Sequence, residues 1–209
     1  GSFDTSDLWV QHGGQYNGWD VAFGVEQRKA AGDKDRIIER DYLYALGASA
    51  LSNAPGHLDT ANEQLDSHLN LRKGNWNLHL YGTLQEASAG PGGFQVITYE
   101  NDLDSKSLLA DLAWHNDRLV KNWELDSRVY YSYIYQDAFL QYYPADFLNM
   151  LGNPIQASQD GGVEAGGLYR GFLDHQLRLG LGWKNYDFEP EQYKNFGPPA
   201  GGTPATWYG

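Results

Sequence analysis

The chain has 209 residues, a formal net charge of −12 and no cysteine, with a pI of about 4.7. That balance argues against a nucleic-acid partner, whose phosphates need clustered Lys and Arg, and the missing cysteine leaves neither a disulfide framework nor a thiolate site. Mean hydropathy is −0.59 and no run reaches the ~20 apolar residues of a spanning helix; a membrane β-barrel stays open, because alternate residues of its strands are free to be polar.

Residues 8–12 form a short apolar–polar run, and 13–18 read as a turn rich in Gly. Trp19, Val21, Phe23 and Val25 then alternate with Asp20, Ala22, Gly24 and Glu26, a second strand. Residues 28–63 form a long connection. It carries the charged run DKDRIIERD, read as a solvated loop, and a stretch 41–51 with the makings of a short helix, broken at Asn53-Ala54-Pro55-Gly56.

Residues 64–85 carry the clearest pattern. Leu65, Ser67, Leu69 and Leu71 share one face, as do Trp76, Leu78, Leu80, Gly82 and Leu84. Period-two alternation means a strand between two environments. Gly74-Asn75 fits a two-residue hairpin turn. The expected register sets Leu71 against Leu78, Leu69 against Leu80 and Leu65 against Leu84. A loop follows over 86–103, then strands over 107–115 and 123–133, a long aromatic loop over 137–162, and strands over 164–172 and 177–184. The tail 185–209 reads as irregular, without a closing strand.

The expected fold is all-β: an antiparallel up-and-down meander of about eight strands, treated as one unit over 1–209. Short connections near 14–18, 73–75, 116–122 and 173–176 alternate with long ones, the rhythm of an outer-membrane barrel. Trp19, Trp76, Trp114 and Trp123 sit beside short turns on the apolar face, where an amphipathic ring suits a bilayer interface. Leu69, Leu71, Leu78, Leu80, Leu112, Leu125, Leu179 and Leu181 are expected on that lipid-facing side. Asp66, His68, Asn70, Arg72, Glu124, Asp126 and Arg128 are expected on a wet one. The first strand starts and the eighth ends on the long-loop side, so the chain reads as part of a larger barrel. A complete small barrel (adhesin, structural anchor or lipid-modifying enzyme) and a soluble β-rich binding module are the rival readings.

GSFDTSDLWVQHGG followed by YNGWDVAFGVEQ resembles the first strands after the plug of a TonB-dependent outer-membrane receptor. DRIIERD and ALSNAPGHLDTANEQLD look like that family's first large loop and its descent into the next strand. LGNPIQASQDGGVEAGGLYRGFLDHQLRLGLGWKN, then EQYKNFG, is similar to the stretch where an extracellular loop re-enters the barrel. The likeness is to the iron-complex receptor branch. It implies a 22-stranded barrel with a plugged lumen, located in the bacterial outer membrane, of which this chain is about a third of the wall. It also implies outer-membrane lipid as partner, a small-molecule ligand such as a ferric siderophore, and TonB acting through a plug that lies outside this sequence.

No catalytic motif is present, so a non-enzyme without a cofactor is expected. His68 and His79 with Asp66 lack metal-ligand spacing, and lumen residues are the expected identity. Asp174-His175 reads as a solvated turn. The ligand candidates are Phe94, Tyr99, Tyr142, Tyr143 and Phe147, aromatics in two long outer loops that can close over an organic ligand. Packing of the loops on one another is the alternative role for all five.

Overall fold

Alternation does become strand. A computed structural model describes residues 3–33, 35–88, 90, 95–144, 150–195 and 205–208; of 192–195 and 205–208 it describes the backbone alone. The strands are β1 (Ser6–Tyr16), β2 (Trp19–Ala30), β3 (Ile37–Ile38), β4 (Gly56–His57), β5 (Asn62–Lys73), β6 (Trp76–Ser88), β7 (Asp102–Asn116), β8 (Trp123–Gln141), β9 (Leu151–Tyr169), β10 (Leu177–Asn195) and β11 (Ala205–Tyr208). All but β3 and β4 form one sheet in the order β1-β2-β5-β6-β7-β8-β9-β10-β11. Every pairing in it is antiparallel. β3 and β4 make a separate two-stranded ribbon in the long connection between β2 and β5. That connection also holds the helix α1 (Tyr42–Ala45) and a 3-10 turn over Ser49–Leu51.

The central hairpin has the expected register: Leu71 faces Leu78, Leu69 faces Leu80 and Leu65 faces Leu84. Gly74 takes φ 56°, the positive value at the first central position that only glycine adopts without strain. The first turn is tighter than the sequence indicated. β1 runs on through Gly13-Gly14 to Tyr16, which pairs with Trp19. Only Asn17 and Gly18 turn, both left-handed at φ 49° and 79°, the Asn-Gly signature of a type I′ hairpin.

Two further expectations fail, and in the extensions of β8, β9 and β10 for one reason. The supposed loop 137–162 is mostly sheet: β8 reaches Gln141 and β9 starts at Leu151. The supposedly irregular tail continues β10 to Asn195, and 205–208 form β11 against 191–194. In these extensions both faces carry polar residues, among them Gln136, Asp137, Gln156, Gln159, Asp187 and Glu189. A strand wet on both faces shows no alternation, and its ladder of backbone hydrogen bonds holds it regardless.

Cross-strand partners share a face, so the registers sort every side chain. One row runs Val21, Leu71, Leu78, Leu112, Val129, Val163, Trp183. The next toward the long loops runs Phe23, Leu69, Leu80, Ala110, Tyr131, Gly161. All eight leucines expected on one side are on this face. Trp76 pairs with Trp114, ring centres 6.4 Å apart, and Trp123 stands 5.2 Å from Tyr169. With Trp19, whose ring meets the Lys73 ammonium at 4.9 Å, they form a belt of aromatics at the short-turn end.

This face is bare. Leu181 is 77% exposed and Trp183 66%. Among the described residues the buried apolar side chains are Leu43, Ala54, Val96, Ile97 and Pro144. All five lie in connections at the long-loop end and none lies in the sheet.

Candidate functional site

The polar face holds charge in pairs. Arg128 binds Asp111 and reaches Glu164 at 4.0 Å; Lys184 meets Asp160 at 2.8 Å, and His115 Nδ1 meets Asp126 at 2.7 Å. Asp66 accepts from Thr83 Oγ1 at 2.7 Å, from Gln64 Nε2 at 2.7 Å and from Tyr81 at 3.3 Å. His79 pairs with Asn70. The His68 ring sits against Gly24 and leaves no room for a Cβ there. Asp66, His68 and His79 are therefore each engaged separately. Among the described residues no three His, Cys, Asp or Glu converge as metal ligands.

At the long-loop end the chain builds a second kind of structure. Asp41 closes the acidic run and caps α1: its Oδ1 accepts from the Tyr44 backbone N–H at 3.0 Å, as an N-cap carboxylate does. The run as a whole was expected to be solvated, yet Asp41 is only 7% exposed. The same Oδ1 takes the Ser52 hydroxyl at 2.7 Å, and Oδ2 takes the Ile97 N–H at 3.1 Å. The bonds from Asp41 and Asn53 thereby hold Ile97 to the first connection, and Val96, Ile97 and Thr98 are buried, as Leu43 and Ala54 are.

Tyr99 follows directly and is 53% exposed. Its hydroxyl lies over Gly56, where a Cβ would meet it at 2.7 Å and the Asn53 carbonyl at 2.6 Å. The end of β8 is tied to the same point. Thr98 Oγ1 donates to the Gln141 carbonyl at 2.7 Å, and the Gln141 N–H donates to Asn101 Oδ1 at 2.8 Å. Tyr142 and Tyr143 follow Gln141, both half-buried and engaged with neighbours. The Tyr142 ring covers Gly152, at 2.5 Å from where a Cβ would stand.

The segments bearing Tyr99 and Tyr142-Tyr143 are thus joined through Thr98 and Asn101, as a shared site requires. Tyr142 has a packing role at the mouth of the β8–β9 hairpin. Tyr99 presents the freer ring. Phe94 and Phe147 lie outside the described residues. Sequence reasoning missed Tyr42 and Tyr44 of α1, both exposed, the latter under the Arg40 guanidinium at 5.2 Å. The available signal was the Asp before a helical stretch, which marks an N-cap.

No family model matches the chain, and no curated protein or solved structure proved similar to it.

Proposed function

We propose that the sheet is part of the wall of an outer-membrane β-barrel, and that the barrel is a TonB-dependent receptor admitting a scarce nutrient, such as a ferric siderophore, past its long loops. The observation that carries the membrane part is the shape of the bare apolar band. On β6 the band runs from Trp76 to Leu84 and Glu86 ends it; on β10 it runs from Leu177 to Trp183 and Asn185 ends it. Trp76 is level with Leu181, and Leu78 with Trp183. The band therefore sits four residues lower on β10 at its lower limit and six lower at its upper limit.

At ~3.3 Å per residue and ~4.8 Å per strand, that is a drop of roughly 13–20 Å over about 19 Å of sheet, a slant of about 35–45°. Strands of membrane barrels tilt from the bilayer normal by the same angle. A flat slab meeting tilted strands leaves such a slanted band, and its lower limit carries Trp76, Trp114, Trp123 and Tyr169, the residue types favoured at an interface. β8 carries Tyr131, Tyr133 and Tyr135 at the upper limit. A soluble closed barrel also tilts its strands, so the choice of lipid over core rests on the slant together with the aromatic lower limit and the bare surface of the face. The outer edge of β1 has no partner among the described residues, and lipid does not tolerate such an edge, so further strands belong beside it. The transport part rests on the family resemblance and on the aromatic long-loop end.

Two tryptophans test the membrane part. Trp183 is on the apolar face and Trp9 on the polar one, and both are exposed. In single-tryptophan variants of the intact parent folded into vesicles, brominated acyl chains should quench Trp183 and spare Trp9. Equal quenching, or the reverse, removes the membrane reading. Uptake of a ferric siderophore by cells carrying the parent should cease without TonB; uptake that persists removes the receptor reading and leaves the barrel.

A further inference from the structure

We propose that Asp41 is a latch that makes the connection 31–61, the segment 95–101 and the end of β8 at Gln141 open and close as one cooperative unit. An N-cap needs only one carboxylate oxygen, and Oδ1 with Tyr44 fills that role. Oδ2 is spent on Ile97, 56 residues further along the chain. The first connection grips the Ile97 peptide from both sides, because Asn53 Nδ2 donates to its carbonyl at 2.8 Å. Two residues earlier in the same segment, the Gln95 carbonyl accepts from the Tyr42 N–H at 3.2 Å.

The bonds continue without a gap. Thr98 donates to the Gln141 carbonyl, Asn101 Nδ2 donates to Thr98 Oγ1 at 2.7 Å, and Asn101 Oδ1 receives the Gln141 N–H. Thr98, Asn101 and Gln141 are 1%, 4% and 5% exposed, so water cannot replace a broken member in place. In such a setting a half-satisfied network is costly, and its members are held or lost together. The carboxylate itself cannot be substituted by a neutral group. Three donors face it, and the Ser52 hydroxyl has its one hydrogen committed there while accepting from the Ala54 N–H at 2.9 Å. An amide at this place turns a donor toward a donor. A contact at Tyr99 is therefore transmitted to α1, 54 or more residues away in sequence, through the bonds from Ile97 to Asp41 and from Tyr44 to Asp41.

The amides of Tyr44, Ile97 and Gln141 each donate to a side chain of this network, so their hydrogen exchange reports it. In the unmodified chain, measured in whichever medium keeps it folded, the three amides should share one opening free energy and one denaturant dependence. Asp41→Asn should speed all three by roughly 10- to 100-fold, the loss of a charge-assisted bond. Thr98→Val, which breaks only the far link, should speed Tyr44 as well as Gln141. The proposal is overturned if the unmodified amides open with separate free energies, or if Asp41→Asn speeds Tyr44 alone, the signature of a simple cap. The first measurement needs no variant, and none of them depends on the membrane or transport reading.

Discussion

On the sheet, Leu181 and Trp183 keep most of their surface bare, and among the described residues no apolar side chain of the eight long strands is buried. In the connections above it, Val96 and Ile97 are 0% and 1% exposed. Ordinary domains do the reverse: the regular elements hold the core and the connections lie on the surface. On the reading proposed above, the two regions answer to different solvents. Among the described residues nothing covers the apolar face of the sheet, as a wall against hydrocarbon would require. The connections would then stand in water and must pack on themselves to be ordered.

The sharpest way to break this contrast is one pair of substitutions. Leu80→Arg in the intact parent should cost about 2–4 kcal/mol of stability in lipid vesicles, because a mid-bilayer charge loses its water. His79→Arg, one residue away on the polar face, should cost little. Refolding yields and denaturant midpoints in vesicles measure both. If His79→Arg is the more damaging, the faces are inverted and the apolar side is a core.

Turn geometry should weigh as heavily as packing in a sheet without a core. Gly18→Ala forces a side chain into a left-handed position, at about 1–2 kcal/mol, and should release β1 before any other strand. Exchange of the β1 amides would show it, and uniform loosening of the sheet would contradict it. In the connections, Ile97→Val should cost about 1 kcal/mol as a lost buried methylene. That loss should appear in exchange near 41–54 and 95–101 and leave β5–β6 untouched. The smallest structural effect belongs to Tyr99→Ser, within about 0.5 kcal/mol of stability as for an exposed position. In the parent it should weaken ligand uptake by roughly threefold to tenfold, the worth of an aromatic contact; unchanged uptake removes Tyr99 from the ligand path.

The sequence was legible where one face of a strand differs from the other. Leu65 through Leu84 revealed strand, turn and register together because every second side chain is apolar. The upper halves of β8, β9 and β10 were hidden because Asp137, Gln156 and Glu189 are as polar as their neighbours on the opposite face. The site was partly legible. Tyr99 could be found as an aromatic in a long connection. The carboxylate that orders its segment could not, because the bond from Asp41 to Ile97 joins residues that no local pattern relates. An acidic run ordinarily means solvent, and only the fold shows which of its members turns inward.

The order of the strands also carries a consequence for how the chain folds. Each of β5 to β10 pairs with its neighbour in sequence, so each finds its partner by closing a connection no longer than 89–101. The β2–β5 pairing alone in this stretch must bring together strands separated by 31 residues, 31–61, including the small ribbon and α1. Loop-closure entropy rises with the logarithm of length, so β5 to β10 can zip while the first hairpin waits. The first hairpin should thus be the last long piece to arrive and the first to peel, and its arrival should await collapse of the connection that carries Asp41. A pulse-labelling experiment would then see two kinetic phases, with β1 and β2 in the slower one.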